Sequence, residues 1–241
     1  MKIRHLVHSC LLVETGGRRL LIDPGGFSGE AVRGLGAAVL TGIDAVLLTH
    51  QHPDHVDRTL LDEVLRLATT AEVIAEPETA QQLREAVDGA AAVRPEQLRP
   101  LAAGDAHVLA AVPGHGSLRI EAVGGRHAII HPDIPRVGNS GLVISAGDGP
   151  RLGVTGDSLE PLPEFHGIDV LAFAVVAPWS KVSETVDFLR AVGPTLALPV
   201  HEAIASDVGR PIYLRQATAL APEGTEVRDW PVDGVIELPG S

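Results

Sequence analysis

Four residues that bind metals well follow one another in a single short segment, Thr49-His50-Gln51-His52-Pro53-Asp54-His55. Imidazole and carboxylate are the donors that zinc and neighbouring divalent ions accept. The segment leaves Ala45-Val46-Leu47-Leu48, an apolar, branched run that reads as a buried strand. Side chains two apart in an extended chain point to the same side, so His50 and His52 can grip one ion together. Asp54 and His55 fall where the chain should turn into a helix, and face a second position beside the first. The competing reading is a His-rich polar loop, or histidines capping a helix.

Three later strand ends offer further donors. Ser117–Val123 alternates as a strand and stops at Gly124-Gly125-Arg126-His127; Leu152–Thr155 runs into Gly156-Asp157-Ser158; Thr195–Val200 ends on His201. Counting donors gives two ions: His50, His52 and His127 for one, Asp54, His55 and His201 for the other, with Asp157 bridging. Each ion then keeps an open position for water, which marks a catalytic rather than a structural site. Asp54 is placed to orient a nucleophile and to shuttle its proton.

Other residues carry weaker signals. Asp23, in Asp23-Pro24-Gly25-Gly26, is either an acceptor for a metal-bound histidine or a plain turn residue. His8 either lines a pocket or is structural. His131, in His131-Pro132-Asp133-Ile134-Pro135, is a candidate substrate contact or acid, against a surface-loop histidine. Trp179, with Ser180 and Lys181, is a candidate pocket rim, against core packing. Arg126 and Lys181 are candidates to meet an anionic group, against solvated charges. His115, in Pro113-Gly114-His115-Gly116, competes with His127 for the ligand role. His5, His107 and His166 read as structural, and Cys10 as a small core residue.

The elements that must position these groups mix strands and helices throughout. Ile3–Thr15 alternates, turns at Gly16-Gly17, and resumes at Arg19–Ile22 as a hairpin. Residues 27–44 carry a weak helical pattern. Leu60, Leu61, Val64, Leu65 and Ala68 repeat with helical spacing behind a capping Asp57. Glu72–Ala75 reads as a strand, and Pro77 opens a helix to about Val87. Leu98–Leu101 and His107–Val112 look antiparallel, as do Gly141–Ser145 and Leu152–Thr155. Val170–Val176 suits a buried strand, Ser183 caps the helix that follows, a helix near Ile212–Leu220 comes next, and Val235–Leu238 closes the chain. Strands and helices in both halves imply α/β layers with two sheets. No linker or charge block interrupts residues 1–241, so one domain is expected.

The composition sets bounds. With 241 residues and 45% hydrophobic content the chain can bury a sizeable core, one built mainly from aliphatic residues because aromatics are only 3%. A net charge of −12, from 19 basic and 31 acidic residues without a basic run, argues against nucleic acid as partner. An acidic surface still admits a small anionic substrate, because bound metal supplies positive charge. One cysteine permits no intrachain disulfide. No signal-peptide h-region and no stretch of roughly 18 apolar residues is visible, so a cytoplasmic, non-membrane protein is expected. Oligomeric state is not readable.

The segment from Thr49 to His55 resembles the metal-binding loop of the metallo-β-lactamase-fold hydrolases. His127 after Gly-Gly-Arg, Asp157 in Thr-Gly-Asp-Ser and His201 after Leu-Pro-Val resemble that family's later ligands in order, and Leu21-Ile22-Asp23-Pro24-Gly25 fits its N-terminal strand and turn. His8-Ser9-Cys10-Leu11-Leu12-Val13-Glu14 and the compact length are most similar to the L-ascorbate-6-phosphate lactonase branch. The resemblance implies a four-layer αβ/βα sandwich, two mixed β-sheets flanked by helices, with the site at their edge. It implies a divalent metal cofactor, two zinc ions with manganese or iron as alternatives. The expected activity is hydrolysis of an ester, lactone, amide or phosphoester of a small molecule by metal-bound hydroxide, since a bound ion lowers the pKa of water to about 7. A phosphodiesterase-type member of the fold, or a non-catalytic metal-binding or regulatory module, is the alternative.

Overall fold

Three of the strands that carry the expected donors, Ala45–Leu48, Leu152–Val154 and Leu196–Val200, are buried on both faces because each lies between two layers. The computed structural model describes residues 1–85 and 93–239. The first half contains β1 (Lys2–Val7), β2 (Cys10–Thr15), β3 (Arg18–Ile22), short helices α1 (Gly29–Gly34) and α2 (Ala37–Leu40), β4 (Ala45–Leu48), α3 (Arg58–Leu67), β5 (Glu72–Ala75), α4 (Pro77–Arg84) and β6 (Leu98–Pro100). The second half contains β7 (Ala106–Leu109), β8 (Leu118–Gly124), β9 (Ser140–Ala146), β10 (Leu152–Val154), β11 (Val170–Ala174), α5 (Val182–Val192), β12 (Leu196–Val200), α6 (Arg210–Leu220) and β13 (Glu226–Val227). A last strand, β14 (Val235–Glu237), returns to the first sheet.

Two seven-stranded sheets result, ordered β14-β1-β2-β3-β4-β5-β6 and β13-β12-β11-β10-β9-β8-β7. Both follow one plan. Strands β1 to β3 and β7 to β10 pair antiparallel, whereas β3 to β6 and β10 to β13 pair parallel. The period of two then sorts the side chains. Ala45 and Leu47 of β4 join Leu142, Ile144, Ala172 and Leu198 in a core between the sheets, while Val46 and Leu48 face Leu60, Leu61 and Val64 of α3. On the far side Leu171, Phe173 and Ala197 pack against Phe188 and Leu189 of α5. This is the αβ/βα sandwich that the family resemblance implies.

Local signals explain most boundaries. Asp57 caps α3 by accepting the Leu60 amide at 2.9 Å, and Pro77 opens α4 where its missing N–H costs nothing. Four expectations are corrected. The alternating stretch from Ile3 breaks into β1 and β2, because the chain turns at His8, whose φ is 60°. β6 and β7 are not an antiparallel pair: β6 lies parallel to β5, and β7 starts the other sheet. Helix α5 begins one residue before Ser183; Lys181 is its cap position, where Glu184 accepts the Lys181 amide at 2.9 Å. Strand β13 was not foreseen, being only two residues long. The helix end expected near Val87 lies outside the described residues.

Strand direction brings the carboxyl ends of β1, β3, β4, β8, β10 and β12 to one edge of the sandwich, where open α/β sheets bind ligands. Two backbone hydrogen bonds join the sheets there, His201 N–H to the His8 carbonyl at 3.1 Å and Ser140 N–H to the Thr49 carbonyl at 2.9 Å. No helix among the described residues is long and apolar enough to cross a membrane.

The loop after β3 lies on the histidine loop. Gly26 N–H donates to the Pro53 carbonyl at 2.8 Å and Asp57 N–H to the Pro24 carbonyl at 3.0 Å. A Cβ at Gly25 would overlap the backbone of Asp54 and His55, whereas one at Gly34 would meet nothing. Gly25→Ala should therefore destabilise by about 1–3 kcal/mol, a Tm drop of roughly 3–10 °C for this size. Gly34→Ala should stay within about 0.5 kcal/mol. Equal melting curves for the two variants would remove this constraint.

Candidate metal centre

The outer ring nitrogens of four expected histidine ligands are already bonded, and this decides where their lone pairs point. His127 Nδ1 donates to the Ala128 carbonyl at 2.7 Å, His201 Nδ1 to the Val176 carbonyl at 2.8 Å, and His55 Nδ1 to Asp23 Oδ2 at 2.8 Å. His50 Nδ1 meets the Thr49 hydroxyl at 3.2 Å, which itself donates to Asp23 at 2.7 Å. A proton held on Nδ1 leaves Nε2 as a bare donor to metal, the arrangement that orients histidine ligands generally.

The inner nitrogens and the carboxylates form two adjoining groups, His50, His52, His127 and Asp157 in one and His8, Asp54, His55 and His201 in the other. His50 Nε2 and His52 Nδ1 are 3.1 Å apart, and Asp157 Oδ2 is 3.2 Å from both His127 Nε2 and His201 Nε2. Two nitrogens on one tetrahedral zinc sit about 3.3 Å apart, so these spacings suit shared cations. Asp157 Oδ1 and His201 Nε2 are buried without a hydrogen-bond partner, although Oδ1 is 3.0 Å from His55 Nε2. Close atoms that do not align with each other, and are sealed from water, fit a divalent ion. Asp157 touches residues of both groups.

His8 is placed among the donors, yet its proton sits differently. Its Nδ1 accepts the Ala203 amide at 3.2 Å, so Nε2 carries the hydrogen and donates to Asp54 Oδ2 at 3.2 Å. His8 thus holds Asp54 and is poorly suited as a ligand. Its own backbone N–H donates to Glu202 Oε1 at 3.1 Å, and its ring lies 4.0 Å from that of His201.

Asp23, Asp157 and Trp179 complete the surroundings. Asp23 Oδ1 accepts the Thr49 amide at 2.8 Å, and Trp179 Nε1 donates to Asp157 Oδ2 at 2.9 Å. Asn139 Oδ1 accepts the Asp157 amide at 2.9 Å. Sequence reading missed Thr49, Asn139 and Glu202; their one signal is position, each being a polar residue beside a ligand or a strand end. His131 is not brought to the centre: it is exposed and accepts the Asp133 amide at 3.1 Å. His115 lies beside Gly17 at the far edge. Arg126 and Lys181 face Glu78 and Glu184.

Burial and neighbouring charge divide the protonation states. Burial, then His55, pushes the His50 pKa well below the usual histidine value. Burial works against charge on His55 too, but Asp157 and Asp23 outweigh it and raise its pKa well above that value. Burial opposes charge on Asp157, but the His55 charge together with hydrogen bonds from His127, His201 and His55 holds its pKa well below the carboxylate range. Burial also opposes the Asp54 carboxylate, yet the His8 hydrogen bond and the His55 charge together bring its pKa to about 2. The metal-free centre thus keeps protons that metal must displace.

The sign follows from linkage. The raised His55 contributes stability that is complete below its ordinary value of 6.5 and lost as pH rises through its folded value. The depressed Asp157 contributes stability present above 3.8 and lost as pH falls through its folded value. Metal-free protein should therefore melt lower as pH is raised from neutral into the alkaline range, and zinc should cancel that decline. A flat Tm profile without metal would contradict the pairing. Asp23→Asn should weaken zinc affinity by about 10–100-fold, measured against a competing chelator.

Comparison with known proteins identifies the family of the chain. The model of the beta-lactamase superfamily domain matches residues 2–201. Protein Rv0786c of Mycobacterium tuberculosis is 43% identical over 91% of this chain and 92% of its own length. A UPF0173 metal-dependent hydrolase of Sinorhizobium medicae is 46% identical over 25% of this chain and 26% of its own. Among solved structures, Igni18, a metallo hydrolase from Ignicoccus hospitalis, superposes with a TM-score of 0.68 at 21% identity, covering 98% of each chain. The chain belongs to the beta-lactamase superfamily.

Proposed function

We propose that this chain is a metal-dependent hydrolase that holds two divalent ions, zinc foremost, and cleaves an ester, lactone or amide of a small molecule. The observation that carries the reading is Asp157, whose two oxygens reach His55 on one side and His127 and His201 on the other. A carboxylate so shared suits a pair of ions better than one. The named metal-dependent hydrolase relative and the metallo hydrolase of like fold support the same class.

Ions bound there supply positive charge and make water acidic enough to attack at neutral pH. The chain's own groups do the rest. Asp54 stays ionised, and His8 occupies its Oδ2, leaving Oδ1 to accept a hydrogen bond from the attacking water and then its proton. Trp179 braces Asp157 from the solvent side, its ring half-buried near His127 and His201. No serine or cysteine is needed as nucleophile; Cys10 is buried, and burial pushes its thiol pKa up.

Zinc-loaded protein should hydrolyse 4-nitrophenyl acetate. His52→Ala should lose about one ion per chain by elemental analysis, while Asp54→Asn should keep most metal and lose about 10²–10⁴-fold in kcat. Normal turnover by Asp54→Asn would eliminate its role. Faster turnover of bis(4-nitrophenyl) phosphate than of the ester would favour a phosphodiesterase, and full metal with no turnover of either would favour a binding module.

A further inference from the structure

We propose that the substrate of this site carries an uncharged, apolar tail, received by a collar of exposed aliphatic and aromatic side chains around the metal centre. The inference rests on the hydrolase reading above and names the class of molecule it acts on.

The collar is built from the segments that leave the strands ending at the site edge. Phe27, in the loop after Asp23, is 50% exposed, yet its ring meets the His8 ring edge-on with centroids 5.0 Å apart. Ile129 and Ile134 lie on the segment that starts at His127, whose next residue, Ala128, donates its amide to the Asp157 carbonyl at 2.7 Å. Ile204, Val208 and Ile212 follow His201, and Val208 is 82% exposed. Trp179 stands over both groups of ligands. The segments that follow Asp23, His127 and His201 carry most of the exposed large hydrophobic side chains among the described residues, whereas Leu67, Val108, Leu220 and Val232 lie elsewhere. Apolar exposure grouped on segments that leave the site marks a surface that binds something.

Charge narrows what it binds. Arg126 faces Glu78 at 3.7 Å, Lys181 faces Glu184 at 3.4 Å, and Arg210 is held by both oxygens of Asp229. Arg136 uses its Nε on the His127 carbonyl at 2.7 Å. Exposed Asp133 and Asp207 stand on the same loops as the isoleucines. A phosphate or carboxylate on the tail would meet these acids with only Arg136 to oppose them. An aliphatic acyl or aryl group meets no such penalty and covers the apolar side chains.

The test is a series of 4-nitrophenyl esters from acetate to decanoate, given to zinc-loaded protein. Each methylene that enters the collar should raise kcat/KM by on the order of threefold. Phe27→Ser and Ile134→Ser should each lower the decanoate-to-acetate ratio by about tenfold, while Val108→Ser, on β7 away from the centre, should leave that ratio as it is. A flat series with acetate turned over overturns the proposal and leaves the hydrolase reading standing. So does a stronger preference for bis(4-nitrophenyl) phosphate that Arg136→Ala abolishes. Self-association lost in Phe27→Ser and Ile134→Ser, with the ester ratio unchanged, overturns it in favour of an interface between copies. Absence of all turnover removes the hydrolase reading; the collar is then read with the neutral dye N-phenyl-1-naphthylamine. Dye fluorescence that both variants lose supports an apolar binding collar, and no enhancement by the parent chain overturns it.

Discussion

The buried carboxylate of Asp23 is the interaction on which the candidate metal centre depends. It is fully enclosed and accepts three hydrogen bonds, from the Thr49 amide at 2.8 Å, the Thr49 hydroxyl at 2.7 Å and His55 Nδ1 at 2.8 Å. A buried anion is costly unless it is fully bonded, so these partners cannot drift. The register of β3 with β4, Ile22 opposite Leu47, puts Asp23 beside the exit of β4. One carboxylate therefore links strand pairing in the first sheet to the orientation of two candidate ligand rings, those of His50 and His55.

The backbone shows what that positioning costs. Among the described residues only His8, Asp23 and His201 combine a side chain with positive φ, at 60°, 46° and 67°. Such a conformation costs of order 1–3 kcal/mol and persists where the surroundings over-determine it. All three lie where a strand stops at the ligand edge. Each is held by several bonds: His8 by Glu202, Ala203 and the His201 amide, Asp23 by Thr49 and His55, His201 by Val176 and His8. Strain confined to one edge is the mark of a site whose geometry matters more than local ease.

Why some of this was legible and some not follows from the range of each interaction. The strand-then-ligand pattern at β4, β10 and β12 is local, and the residue spacing alone carries it. Layering was legible too, because a strand buried on both faces, such as Ala45–Leu48, reads as an unbroken apolar run. The turn at His8 was hidden, since the alternation continues across it and only the fold reverses the chain there. Asp23 remained ambiguous because its partners lie a strand away. Asn139 and Glu202 were invisible for the same reason: each acts on a group that only tertiary packing brings near.

His8 shows how far the centre depends on both halves at once. Its type and its distance from Asp54 would serve a ligand, and it sits within reach of His55 and His201. What excludes that role is a single backbone amide of Ala203, contributed by the chain leaving the second sheet. By taking up Nδ1, that amide keeps the hydrogen on Nε2 and turns the ring toward Asp54. The five remaining imidazoles present nitrogen to the centre, four of them because carbonyl, hydroxyl or carboxylate partners hold their Nδ1 protons. Outer hydrogen bonds, not residue type, thus separate the candidate ligands from the histidine that orients Asp54.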